Sequence, residues 1–436
     1  MKILIIWPPH IPSYFNAGHH LPLFQVAEYI RENHKVKEVI CIDAGALNYT
    51  WKEIADILSK NKFDIVAIMN DFDAVDTFER IVTYIRELSK HSKIITYGRL
   101  SKQIPGFFKK FDIDAISVSG DYEVCVNEFI ELQYNTEINP KGLIYKDSSD
   151  IWKYGEAGEY LPSSEWKYPN LKEIPYDAYE NMYINDRNKF CGIPFRRELV
   201  INVSRGCPVG CDFCDVPKMQ GTIDRRVNYE ELVNYIEFSF KEFNFEYISF
   251  YSPTFTLNRE WTVNFCDLLI SKGKKYSWKC VTTIQHLDKE LIEKMSESGC
   301  IRISIGVETI DEKAKDALPI IKQNIKEKLI TIVDICNKNN IEVNSFIILG
   351  LPNESVDGAI ETIKFLESLD VRIRPTIYTP YNLMNNNMNL NEVNKFNRQL
   401  FVNSSLTEKE KDCLYNMFYS KEYKVTEVYN NIEKRK

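Results

Sequence analysis

Two separate alternations of strand-like and helix-like segments constrain this 436-residue chain more than any other feature. In the first, β-branched runs at residues 2–7, 36–42, 64–69, 93–97 and 115–119 alternate with stretches that place apolar residues at threes and fours, at 21–32, 49–59, 74–89 and 102–111. A final helix is predicted at 122–132. Strands that alternate with helices form βαβ units, because a parallel neighbour is reached only by a crossover. The expected product is a doubly wound, Rossmann-like α/β domain over residues 1–133, with its ligand face beyond the carboxyl ends of the strands.

The second alternation begins at residue 199. Strands at 199–204, 247–251, 276–282, 300–305, 342–349 and 371–378 alternate with helices at 229–243, 259–271, 289–298, 321–338 and 357–368. Six strands over residues 199–384 suit a partial (βα)6 barrel, whose working loops lie at the strand carboxyl ends. Residues 134–198 are rich in Asn, Asp, Ser, Pro and Tyr and read as a connector, too long to hang free. Residues 385–436 read as a helical tail that contains the Ser405-Leu-Thr-Glu408 capping pattern.

Charge and hydropathy narrow the function classes. A formal charge of −7 does not suit a phosphate backbone, so no nucleic-acid partner is expected. No run approaches the roughly 18 apolar residues of a membrane span. The apolar start reaches Pro8 and Pro9 too soon for a signal peptide. A soluble, cytoplasmic protein with no membrane partner is expected.

Three of the 11 cysteines fall within eight residues, in Ser204-Arg-Gly-Cys-Pro-Val-Gly-Cys-Asp-Phe-Cys214, at the end of the first strand of the second alternation. In a reducing compartment such a cluster points to metal or redox chemistry rather than disulfides. Cys207, Cys211 and Cys214, spaced C-x3-C-x2-C, can converge on one face of a small iron–sulfur cubane if the loop wraps it, and Gly206 and Gly210 give that freedom. A zinc knuckle is the alternative, but zinc favours four ligands in paired spacings. Here no fourth Cys or His lies close in sequence. Three thiolates on four irons leave one iron open to an exchangeable molecule, which implies chemistry rather than electron storage.

This loop resembles the signature of the radical S-adenosylmethionine (SAM) enzymes, in which the open iron chelates SAM and one-electron reduction cleaves it to methionine and a 5′-deoxyadenosyl radical. The resemblance continues through Phe250-Tyr-Ser252, Gly299-Cys-Ile-Arg-Ile-Ser-Ile-Gly306-Val-Glu308 and Phe346-Ile-Ile-Leu-Gly350-Leu351-Pro-Asn-Glu354, and ends near Met384. It implies a [4Fe–4S] cluster on the three cysteines and SAM contacts at Phe213, Ser252, Gly306, Glu308, Gly350 and Leu351. Two departures bear on the substrate more than on the radical step. Ser252-Pro253 stands where many members carry paired aspartates, and Asn382-Leu383-Met384 stands where Pro-Gly-Thr is usual.

A doubly wound domain ahead of such a barrel is similar to the cobalamin-binding branch of that family. The residues that carry this are Lys2 through Pro9, His20-Leu-Pro-Leu23, Phe63 through Ile68, Ile94-Ile-Thr-Tyr97-Gly98 and Ile113 through Glu123. The resemblance implies cobalamin contacts at Pro8, Pro9, Asn70, Asp71, Tyr97, Gly98, Arg99, Gly120 and Glu123. Cobalamin mutases and methionine synthase share an Asp-x-His-x-x-Gly loop whose histidine ligates cobalt. The comparable loop here, from Pro8 through His10 to Ser13, lacks that aspartate and glycine. No histidine is therefore expected below the cobalt, and His20 is expected to be solvated or bonded within the core.

Together the two resemblances imply a cobalamin-dependent methyltransferase acting through SAM on an unactivated carbon of a small molecule or peptide. An external electron donor of the flavodoxin or ferredoxin type would serve it. Rearrangement or cyclisation without methyl transfer is the alternative. A non-catalytic cobalamin or redox sensor is a third reading, disfavoured by the intact three-cysteine loop.

Overall fold

The structure is a computed structural model that describes residues 1–10, 20–33, 36–181, 193, 196–273, 276–402 and 404–424. By their contacts the residues form two compact units that interleave along the chain. The first comprises Met1–Met182, Val216–Gly221 and Pro380–Asn397; the second comprises Tyr183–Asp215, Thr222–Thr379 and Arg398–Lys436.

The first unit is built on seven strands: β1 (Lys2–Trp7), β2 (Glu38–Asp43), β3 (Ile65–Asn70), β4 (Lys93–Gly98), β5 (Ala115–Ser117), β6 (Leu143–Lys146) and β7 (Trp152–Tyr154). They lie in the order β2-β1-β3-β4-β5-β6-β7. The first five are parallel. All six residues of β3 are buried, the near-continuous apolar pattern of a strand covered on both faces. Capping fixes the start of the helix Trp51–Lys60, where the Thr50 side chain accepts from Glu53 N and Glu53 accepts in return.

Two local expectations need correction. The helix expected at 102–111 is two short ones, Arg99–Gln103 and Pro105–Phe108. Proline disfavours the α conformation in the residue before it, and Ile104 sits at φ −137°, ψ 62°. The stretch read as a connector contributes β6 and β7, which add antiparallel to the β5 edge. Strands of four and three residues are too short to display a period.

Remote segments complete this unit. Lys102 Nζ donates to Gly120 O at 2.5 Å and to Met219 O at 2.7 Å. Lys218 Nζ donates to Gln103 Oε1 at 2.6 Å. Gly106 N donates to Asn386 Oδ1 at 2.8 Å, and Asn394 Nδ2 to Asp76 Oδ1 at 2.6 Å.

The second unit opens with β8 (Glu198–Asn202), followed by the two-residue strands β9 (Ser204–Arg205) and β10 (Arg225–Arg226), which pair antiparallel. Then come β11 (Tyr247–Tyr251), β12 (Trp278–Thr282), β13 (Cys300–Glu308), β14 (Glu342–Leu349) and β15 (Arg372–Ile377). The order β8-β11-β12-β13-β14-β15 follows the chain, and every neighbouring pair is parallel. This is a partial (βα)6 barrel. Its interior is polar: Lys279 Nζ pairs with Glu198 Oε1 at 2.8 Å and Arg302 Nε with Glu342 Oε2 at 2.5 Å. Among the described residues, no helix is long and apolar enough to cross a membrane.

Candidate active site

The cysteine loop leaves the barrel at the end of β8. Gly206 and Gly210 take φ of +87° and +70°, the left-handed region that glycine enters without steric cost. Ser204 Oγ lies 2.5 Å from Ser252 Oγ, both buried, which ties the start of the loop to the residue after β11. Cys207, Cys211 and Cys214 are free thiols, each partly buried. Burial pushes the Cys211 thiol up to about 12; Lys322 opposes this, while Glu308, Cys214 and Cys207 add to it. The three thiols thus lie within electrostatic reach of one another. A thiol that keeps its proton so firmly becomes a ligand when metal charge replaces the proton. Three such donors on one pliable loop fit a cubane.

Glu308 ends β13 in an unusual conformation. Its φ is +63°, and the register with β14 shifts between Gly306 and Glu308. A non-glycine residue there is costly and persists only where the surroundings impose it. Its carboxylate meets a cation: Lys322 Nζ lies 2.5 Å from Glu308 Oε1, with Glu308 buried and Lys322 mostly so. Burial opposes the charge on Lys322, but Glu308, Cys211 and Cys214 outweigh it and raise its pKa. Gly306 makes room for the pair, since a Cβ there would fall 2.4 Å from Glu308 Oε1 and 2.9 Å from Lys322 Nζ.

An apolar wall stands beside this pair. Ala314, Leu318, Ile348 and Leu351 form a buried cluster, and Phe213, Ala317 and Tyr378 pack on it. Lys322 Nζ is 5.5 Å from the centroid of the Phe213 ring. Next to Leu351, Gly350 takes φ +79° and its N–H donates to Glu354 Oε2 at 2.7 Å. Burial raises the Glu354 carboxyl to about 7, against hydrogen bonds from Thr309, Gly350 and Leu351 that act the other way. The structure therefore gathers the three cysteines, Phe213, Gly306, Glu308 and Leu351, adds Lys322, and leaves Ser252 engaged with Ser204.

The carboxyl edge of the first sheet holds the other selected residues. Pro8 and Pro9 are buried after β1. Asn70 spends its amide within the sheet, donating to Thr96 Oγ1 at 2.8 Å and accepting from Ser101 N at 3.0 Å. Gly98 is required by Asn70, because a Cβ there would lie 1.9 Å from Asn70 O. Gly120 makes room for the backbone of Gly158 and Glu159. Asp71 Oδ2 lies 3.7 Å from Arg99 Nε, partly exposed. Glu123 and Tyr97 are buried, and the Tyr97 hydroxyl has no hydrogen-bond partner among the described residues.

Beside them stands a network that the sequence did not single out. His20 Nδ1 lies 2.6 Å from Asp43 Oδ2, which also accepts from the Tyr179 hydroxyl at 2.5 Å. Burial opposes the charge on His20, but Asp43 outweighs it and raises the pKa; that of Asp43 is lowered in turn, against its own burial. Trp7 Nε1 donates to His10 Nδ1 at 2.7 Å, and burial lowers the pKa of His10 to about 4. Buried polar atoms without partners at this edge (His10 Nε2, His20 Nε2 and the Tyr97 hydroxyl) suit a bulky ligand that carries metal and amide groups.

Residues 201–366 match the sequence profile of the radical SAM superfamily. The barrel is a radical SAM domain, and the chain is an enzyme. A relative named as an uncharacterized methyltransferase of Pyrococcus horikoshii is 27% identical over 390 residues, covering 87% of this chain and 81% of the relative. Among solved structures, the radical SAM methyltransferase TsrM of Kitasatospora setae is similar at a TM-score of 0.70 and 14% identity, over 87% of this chain and 73% of TsrM. It has been solved with tryptophan and a SAM analogue, and with cobalamin and a [4Fe–4S] cluster. The cobalamin-dependent radical SAM enzyme OxsB, solved with aqua-cobalamin, is similar at a TM-score of 0.69 and 19% identity, over 84% of this chain and 52% of OxsB. This chain thus spans about half of OxsB. At these identities the likeness shows the fold, a Rossmann-like unit followed by a radical SAM barrel.

Within the radical SAM domain, the residue that sequence reasoning missed is Lys322. It lies 14 residues beyond Glu308, in the short turn Ile320–Lys322, where no local pattern sets it apart from a solvated lysine.

Proposed function

We propose that this chain is a cobalamin-dependent radical SAM methyltransferase acting on an unactivated carbon of a small molecule or peptide. The observation that carries this reading is the set of three free thiols, Cys207, Cys211 and Cys214, within electrostatic reach of the buried Lys322–Glu308 pair. The cysteines hold the cluster. When bound, the cluster supplies the electron that cleaves SAM, and the corrinoid supplies the methyl group.

The remaining work falls to side chains already described. Lys322 and Glu308 offer one cation and one anion at a buried point, matching the carboxylate and amino group of SAM. Phe213 and Leu351 offer an apolar face for its adenine. The carboxyl edge of the first sheet, at Pro8, Pro9, Asp71, Tyr97, Gly98, Arg99, Gly120 and Glu123, receives the corrinoid. Asn70 acts there through its backbone, its side chain being spent on Thr96 and Ser101. A small external electron carrier of the flavodoxin or ferredoxin type completes the cycle. Methylation is supported by the Pyrococcus horikoshii relative, whose name is that of a methyltransferase.

The test is anaerobic reconstitution with iron, sulfide and hydroxocobalamin, then incubation with SAM and dithionite and candidate substrates. S-adenosylhomocysteine together with 5′-deoxyadenosine is expected. Deoxyadenosine alone would turn the reading to rearrangement or cyclisation. Neither product from protein loaded with both cofactors would leave a sensor.

A further inference from the structure

Asp43 and His20 are 23 residues apart in sequence and form one unit in space. The loop after β1 lacks an aspartate beside His10, which argued against a histidine ligand for cobalt. The fold supplies the missing carboxylate from another strand. Asp43 is the last residue of β2, and His20 immediately precedes the helix Leu21–Asn33 that follows β1.

The imidazole of His20 is held on two sides. Asp43 Oδ2 takes its Nδ1 at 2.6 Å, and Asp43 is itself fixed by the Tyr179 hydroxyl at 2.5 Å and by Ala46 N at 2.9 Å. One ring face stacks on Trp7, the last residue of β1, with centroids 3.9 Å apart and planes 14° from parallel. The residue is 7% exposed. Across the ring, Nε2 is buried and has no hydrogen-bond partner among the described residues. Leaving such an atom unsatisfied is costly, because it has lost its water without gaining a partner. With the Nδ1 proton committed to Asp43, Nε2 is the nitrogen left to bind a metal, which would take the place of a proton there.

A histidine oriented through one nitrogen by a carboxylate, with the other nitrogen uncommitted, is how proteins prepare a metal ligand. The position agrees. In a sheet of order 2-1-3-4-5, cofactors bind beyond the carboxyl ends of the strands, where the order reverses beside β1 and β3. His20 stands at the carboxyl end of β1 and lies within electrostatic reach of Asp71 and Asp73, which follow β3.

We propose that His20 Nε2 is the lower axial ligand of the cobalt in bound cobalamin, with Asp43 and Tyr179 as positioning residues. This rests on the cobalamin reading above. It replaces the expectation that no histidine lies below the cobalt, and it makes a coordination bond without any redox step.

The test uses full-length protein loaded with hydroxocobalamin and reduced by one electron, then examined by EPR with and without biosynthetic 15N-histidine. Each cobalt hyperfine line is expected to split into three in unlabelled protein and into two in labelled protein. The benzimidazole of cobalamin also carries a nitrogen, so only the label-dependent change identifies a protein ligand. His20→Ala should abolish the label effect and Asp43→Asn should weaken hydroxocobalamin binding about tenfold. The labelled wild-type spectrum decides the matter even if a variant fails to fold. Bound cobalamin with unsplit lines, or with triplets that ignore the label, overturns the ligand and leaves the cobalamin reading standing. A wild-type chain that takes up no cobalamin overturns both.

Discussion

Lys322 Nζ meets Glu308 Oε1 at 2.5 Å with only 11% and 7% of the two side chains exposed, and the same ammonium lies 5.5 Å from the Phe213 ring. A buried pair contributes little net stability as a pair, but removal of one partner strands the other charge. Lys322→Met is expected to lower the unfolding free energy of the apoprotein by about 3–5 kcal/mol. It should also weaken SAM binding at least tenfold while reconstituted iron stays unchanged. Denaturant titration, calorimetry with SAM and iron analysis check the three parts. Lys322→Arg should recover part of the loss.

Alanine at Cys207, Cys211 or Cys214 should each abolish the cluster. Iron after anaerobic reconstitution should fall from about four per chain to near zero, because a cubane cannot be held by two thiolates. Far-ultraviolet circular dichroism should not change, since all three side chains lie on a loop and are only partly buried. Iron retained in any one of the variants would remove that sulfur from the ligand set.

Gly306→Ala separates space from backbone. Gly306 does not occupy the left-handed region, so alanine carries no conformational strain, but its Cβ would press on Glu308 Oε1 at 2.4 Å and Lys322 Nζ at 2.9 Å. A SAM dissociation constant raised about tenfold, or about 1.4 kcal/mol, is the expected result, with the cluster intact. Equal affinity for SAM in the variant would detach the ion pair from SAM binding.

Glu354 sets a pH dependence of stability. Its carboxyl is raised by burial to about 7, above the ordinary 4.5. The folded state therefore binds more protons than the unfolded state between those values, and stability falls as pH rises through that window, by about 3 kcal/mol at most. Glu354→Gln keeps a neutral group in place and should lose that slope. Denaturant unfolding of both proteins from about pH 5 to 7.5 should show the variant gaining on wild type as pH increases.

What could be read from the sequence follows from the range over which each signal acts. The six barrel strands were legible because buried parallel strands are short apolar runs, and the cysteine loop because its donors and glycines lie within eleven consecutive residues. The Lys322–Glu308 pair was not legible: 14 residues separate its members, and nothing local selects one lysine among many. The Asp43–His20–Tyr179 network joins β2, the loop after β1 and a helix 136 residues beyond Asp43. Only the fold brings those three together. The hairpin of β6 and β7 was missed because strands that short show no alternation.

The contacts that draw Val216–Gly221 and Pro380–Asn397 into the first unit impose an order on biosynthesis. A ribosome makes all of the first sheet early, yet Lys102 cannot meet Met219 until synthesis has passed residue 219, nor Asp76 meet Asn394 until it has passed residue 394. Domains usually mature one after another from the amino terminus. Here the earliest-made unit gains its last contacts only after β15, the final strand of the barrel, has been made, so its completion follows that of the barrel strands.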